Sequence, residues 1–128
     1  MKRILFLSAL FIFYFCQIGL AQEGKFYIIE LSMANESFVN EFRLDLSPGD
    51  TFQFKRVEGD FAIYIINAIS FISIEGPDLK LLLNDENSES EIYTVQEPID
   101  QTEFIYSIYC TTTNSWPYAP PRIILNPK

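Results

Sequence analysis

The sequence predicts an all-β chain, a Greek-key β-sandwich of seven or eight short strands. Three features point there. Apolar and polar residues alternate over several short stretches, the apolar ones are largely aromatic or β-branched, and Pro-Gly and Gly-Asp steps punctuate the chain between them.

Ahead of the strands stands a leader. Met1-Lys2-Arg3 is a basic start, Ile4 to Phe15 is apolar except for Ser8, and Gly19 and Ala21 are small residues at the positions a signal peptidase reads. This pattern predicts a secretory signal peptide over residues 1–21, cleaved after Ala21. A retained anchor is the competing reading, because Ile4 to Ala21 approaches the roughly 18 apolar residues at which a spanning helix becomes possible. Lipidation of Cys16 is disfavoured, since Phe13-Tyr14-Phe15 precedes it in place of small residues.

Phe26 to Leu31 is short, aromatic and β-branched and suits a first strand. From Glu41 the alternation is strict: Phe42, Leu44 and Leu46 on one face, Glu41, Arg43 and Asp45 on the other. Pro48-Gly49-Asp50 breaks the run, and Phe52 and Phe54 return to the core, so residues 41–56 read as two strands joined by a turn. After Glu58-Gly59-Asp60, Phe61 to Ile74 is apolar on both parities, which predicts a strand covered on both faces and a further short strand at 71–74. Leu79 to Leu83 is a short apolar segment, and Asn84 to Glu91 an acidic loop or hairpin tip. Ile92 to Val95 suits an edge strand. Phe104, Tyr106, Ile108 and Cys110 share one face, with Ile105, Ser107 and Tyr109 on the other, and Arg122 to Leu125 closes the chain. The predicted core comprises Phe42, Leu44, Leu46, Phe52, Phe54, Ile63, Ile65, Phe104, Tyr106 and Ile108.

Cleavage leaves one domain, residues 22–128, large enough for a single sandwich core. It carries 7 basic against 17 acidic side chains, a net charge of −10. Such a surface repels phosphate backbones, so nucleic acid is excluded as a partner, and no second long apolar stretch calls for a membrane. The charge favours a soluble monomer. With Cys16 removed, Cys110 has no cysteine to pair with inside the chain.

The order of the pieces resembles the cupredoxin family. A strand is followed by Pro48-Gly49-Asp50-Thr51-Phe52, then a strand opened by Phe61-Ala62-Ile63-Tyr64-Ile65, then Tyr106-Ser107-Ile108-Tyr109-Cys110, a proline-bearing loop and Arg122-Ile123-Ile124-Leu125. The resemblance implies a copper-binding sandwich whose ligands are a histidine opening the middle strand, a cysteine ending the penultimate strand, and a histidine and usually a methionine in the next loop. Only Cys110 matches. Phe61 stands near the first histidine position, Asn114 to Trp116 cover the second, and Ala119 to Pro121 replace the methionine. The chain has no histidine at all, and a blue-copper centre needs two imidazoles beside its thiolate, so neither a metal site nor another cofactor is expected.

No catalytic residues are assigned either. Acid–base work at neutral pH falls mostly to histidine, Cys110 has no imidazole to activate it, and the Asp85–Glu91 stretch lacks the spacing of a calcium loop. The candidate binding residues are Trp116, Pro117, Tyr118 and Pro120, in the loop Thr111 to Pro121. Trp and Tyr are favoured at binding hot spots and prolines stiffen their setting, although the same aromatics also serve to cap a sandwich end.

The leading expectation is an exported, periplasmic or extracellular, non-enzymatic binding or structural protein that docks a protein partner through residues 111–121. The alternatives are a thiol-redox or metal-handling accessory domain using Cys110, and an adhesin-like or carbohydrate-binding sandwich with Trp116 and Tyr118 as a stacking platform. The leader carries the first testable consequence. Mass spectrometry of the exported protein should place the mature N-terminus at Gln22, and retention of residues 1–21 would contradict the cleavage reading.

Overall fold

The computed structural model describes residues 24–98 and 101–126; the expected signal peptide lies outside the described residues. Nine strands occur among those residues: β1 (Phe26–Ser32), β2 (Arg43–Leu46), β3 (Thr51–Glu58), β4 (Phe61–Ile65), β5 (Leu79–Leu83), β6 (Tyr93–Thr94), β7 (Glu103–Ile105), β8 (Ser107–Cys110) and β9 (Arg122–Leu125). They form three sheets, ordered β1-β3-β6, β2-β9-β7 and β5-β4-β8. One buried cluster, drawn from all three, makes the core of an all-β sandwich.

The alternation read from the sequence explains which side chains enter that core. Leu44 and Leu46 point inward between exposed Arg43 and Asp45, and Phe52 and Phe54 do so from β3. Phe61, Ile63 and Ile65 enter from β4, where the sequence is apolar on both parities. Phe104, Tyr106, Ile108 and Cys110 share a buried face as expected, but the run divides at Tyr106, so β7 pairs with β9 while β8 pairs with β4. That division takes the strand count past the expected seven or eight. Tyr106 itself bonds across the break, its N–H donating to the Pro121 carbonyl at 3.1 Å.

Three expectations need correction. Phe42 is 41% exposed, because regular pairing starts only at Arg43, and the Arg122 guanidinium lies 5.6 Å from its ring centroid. Residues 71–74 form no strand. The chain leaves β4 at Ile65, passes Asn67 in the left-handed region (φ 59°) and makes a 3-10 turn over Ala68–Ser70. Ala68, Phe71 and Ile72 are buried by that turn, which is why both parities of the stretch are apolar. Strand β4 accordingly buries one face only, leaving Ala62 and Tyr64 half-buried on the other.

The two strands flanking Pro48-Gly49-Asp50 belong to different sheets, so the turn is a crossing between layers rather than a hairpin. The Asp50 carboxylate fixes it: one oxygen accepts the Ser47 N–H at 2.8 Å, the other the Lys25 N–H at 2.9 Å. The backbone of Asp50 and Gly49 bonds Val95 in both directions, at 2.8 Å each. Gly49, at φ 96°, supplies a conformation that other residues rarely adopt. β1 therefore enters parallel to β3, and β2 parallel to β9.

The acidic loop is not a free hairpin tip. Its far half runs beside β3, where the Ser90 hydroxyl accepts the Phe54 N–H at 2.9 Å, the Ser90 N–H donates to the Phe54 carbonyl, and the Arg56 N–H donates to the Ser88 carbonyl. The serines extend β3's pairing, and the carboxylates stay in solvent.

These placements separate two phenylalanines by their energetics. Phe54→Ala should lower the unfolding free energy by about 3–5 kcal/mol, whereas Phe42→Ala should cost under about 1 kcal/mol. Urea unfolding of the two variants checks this, and equal losses would contradict the assigned core.

Candidate functional site

The outer face of sheet β5-β4-β8 carries a groove of about 610 Å³. Its rows follow from register. Ala62 of β4 lies between Leu82 of β5 and Tyr109 of β8, and Tyr64 lies between Lys80 and Ser107. The small Ala62 side chain makes a floor, with Leu82 as one wall and the Tyr109–Trp116 pair as the other. Leu82 is 66% exposed and Trp116 65%, so both walls are open to a ligand.

Trp116 reaches this face because the loop after β8 doubles back. Cys110 and Ser115 exchange backbone hydrogen bonds of 2.9 and 3.2 Å, closing a tight turn whose last residue, Asn114, is left-handed (φ 51°). The base of the turn is tied to the β3–β4 corner: Thr111 N–H donates to the Asp60 carbonyl, and the Thr112 hydroxyl accepts the Asp60 N–H. The indole then packs against Tyr109 with centroids 4.8 Å apart and planes at 59°.

Of the residues singled out from sequence, only Trp116 lines the groove. Tyr118 is 95% exposed and its N–H donates to the Glu36 carbonyl, which pins the loop to the segment after β1. Pro117 is half-buried and Pro120 exposed, and neither lines the groove. Alternation had already set Tyr109 and Ser107 opposite the core. It gave no sign that Ala62 and Leu82 would flank them, since that depends on strand order.

The lower row is held by a polar contact. The Tyr64 hydroxyl donates to the Asp78 carboxylate at 2.7 Å, and the other Asp78 oxygen accepts the Asn67 N–H at 2.8 Å. The Lys80 ammonium sits 5.5 Å from the Tyr64 ring centroid. The Asn67 N–H, then the Tyr64 hydroxyl, and to a lesser degree Lys80, hold the Asp78 carboxyl below its ordinary value, against a smaller opposing effect of burial. The same hydrogen bond, with burial and the carboxylate's charge, pushes the Tyr64 phenol up.

Cys110 lies on the opposite, inward side and is 0% exposed. Phe61 is its direct partner across the β4–β8 ladder, and Ser115 bonds its backbone. Neither suits the copper that the resemblance implies. A benzyl ring and a serine offer no imidazole, and the sequence contains none. Among the described residues no group of three or more His, Cys, Asp or Glu side chains is placed to hold a metal ion.

Comparison with protein-family models gives no match, and comparison with curated protein sequences gives none either. Among solved structures the chain is similar to a proline-to-glycine mutant of amicyanin in its reduced Cu(I) form at pH 4, with 12% identity over 78% of this chain and 81% of that one and a TM-score of 0.48. The likeness assigns neither ligand nor activity to this chain.

The Asp78 node has a pH consequence. Because the folded carboxyl titrates below its ordinary value of 3.8, the stability it contributes is complete above that value and is lost as pH falls through the folded one. Asp78→Asn should therefore flatten the acid limb of stability below about pH 4. Thermal melts of both proteins across the acid range test this, and parallel curves would contradict the hydrogen-bonded node.

Proposed function

We propose that the mature chain is an exported, non-catalytic binding protein that seats a protein partner's apolar side chain in the Ala62 groove, with Trp116 and Tyr109 as anchors. The observation that carries this reading is the groove itself: three aromatic rings and an exposed leucine around a small floor residue, on a sheet face that nothing else among the described residues covers. Rigid aromatics that lose little conformational entropy on contact are the residues that dominate binding energy. The loop from 111 to 121 contributes by carrying Trp116 to the sheet, so the docking surface is a face with a loop at its rim.

A glycan is the second reading, favoured by Asn87, Ser107 and Lys80 around the same aromatic walls. A volume of about 610 Å³ lies within the range of small-ligand sites, and polar groups among aromatics suit a sugar's hydroxyls and ring face. The thiol-redox alternative has less support. A reactive cysteine needs access, and Cys110 is enclosed.

Trp116 is the only tryptophan in the chain, so its emission reports on the groove directly. A photo-cross-linking residue at position 82 should capture a discrete protein in the exported fraction, and Trp116→Ala should weaken that capture by about thirtyfold or more in Kd, as expected for a hot spot of about 2 kcal/mol. A blue shift of Trp116 emission with neutral oligosaccharides, without protein capture, would move the assignment to the glycan. Capture that is indifferent to Trp116→Ala would contradict the groove as the docking site.

A further inference from the structure

A second cleft, of about 1120 Å³, runs beside β5 on the side away from β4. It is lined by every residue from Ser73 to Leu81, and opposite them by Asn87, Glu89, Ser90, Glu91 and Tyr93. A sheet face would contribute alternate residues. Consecutive residues Leu79, Lys80 and Leu81 mean that the cleft meets the strand's edge.

The backbone at that edge is partly unpaired. The Leu82 carbonyl accepts the Asn87 side-chain amide at 3.0 Å, so the polar groups of Leu82, and by alternation those of Lys80, face away from β4. Asn87 occupies one acceptor. The Lys80 N–H and carbonyl and the Leu82 N–H have no backbone partner among the described residues. Such an edge pairs readily with another extended chain.

The lining states the chemistry of that chain. Partly buried Ile74 and Leu81 provide apolar contact above the core residues Leu79 and Tyr93, while Glu75, Asp78, Glu89 and Glu91 provide carboxylates. Glu89 has Lys55 at 3.9 Å, and Asp78 is engaged by Tyr64 and Asn67. Glu75 and Glu91 have no ion pair among the described residues, and the one cation in the lining, Lys80, lies over the Tyr64 ring. A second copy of this acidic chain would bring like charge to like.

We infer that the β5 edge is a strand-addition site for an extended peptide with alternating basic and apolar side chains. The peptide's backbone would pair with Lys80 and Leu82, its apolar residues would cover Ile74 and Leu81, and its cations would meet Glu75 and Glu91. This site is separate from the Trp116 groove, although Lys80, Leu81 and Asn87 border both.

The test uses the mature protein and a short alternating lysine–valine peptide blocked at both ends, followed by fluorescence anisotropy. Saturable binding is expected, falling about tenfold or more, or 1.4 kcal/mol, when alternate peptide amides are N-methylated. The double variant Glu75→Gln, Glu91→Gln should weaken binding and reduce its salt dependence, while Trp116→Ala should leave it unchanged. No binding, affinity unaffected by N-methylation, or equal binding of a glutamate–valine peptide would overturn the inference. Concentration-dependent self-association through this edge would overturn it in favour of a second copy.

Discussion

The structure depends on a chain of aromatic rings through the middle of the sandwich. Phe52 meets Phe54, Phe71 and Tyr93 at centroid distances of 5.9, 6.2 and 5.4 Å, Phe54 meets Tyr106 at 5.9 Å, and Phe71 meets Phe104 at 4.4 Å. These rings come from β3, the residue closing the 3-10 turn, β6, β7 and the break before β8, so they tie sheet β1-β3-β6 to sheet β2-β9-β7 and reach the start of β8. Each such side chain contributes about 1.5–3 kcal/mol by leaving water. No disulfide shares that task among the described residues, where Cys110 is free. Burial pushes the Tyr106 phenol up.

A rigid core frees the outer sheet face for contact. Strand β4 sends Phe61, Ile63 and Ile65 inward, and its outward residues, Ala62 and Tyr64, then lie among Leu82, Tyr109 and Trp116 without being needed for burial. The same register sets Phe61 against Cys110 on the inward side. The thiol is packed on the inward side, and Tyr109 and Trp116 lie on the opposite face.

Much of the fold was legible because two-residue periodicity is a local signal. It identified the inward faces of β2, β3 and the β7–β8 run, though not that of β4, where both parities are apolar, and the Pro-Gly-Asp turn was visible from its residue types. Periodicity failed where burial was not strand-like: Phe71 and Ile72 are buried by a 3-10 turn, and Phe42 precedes its strand. The groove was less legible. Trp116 stood out by type, but its partnership with Tyr109, Ala62 and Leu82 is set by sheet order, which places residues some 20 to 50 positions apart in one row. Tyr118, equally conspicuous in the sequence, carries no contact with that row.

The claim that the sheet face, rather than the loop alone, is the functional surface is tested most directly by filling the groove floor. Ala62→Phe adds a ring at the half-buried centre of the Leu82–Tyr109 row and leaves residues 111–121 untouched. The urea midpoint should stay close to that of the unmodified protein, since the added ring points away from the core, while partner capture from position 82 is lost. Undiminished capture with an unchanged midpoint would contradict the account and return the site to the loop.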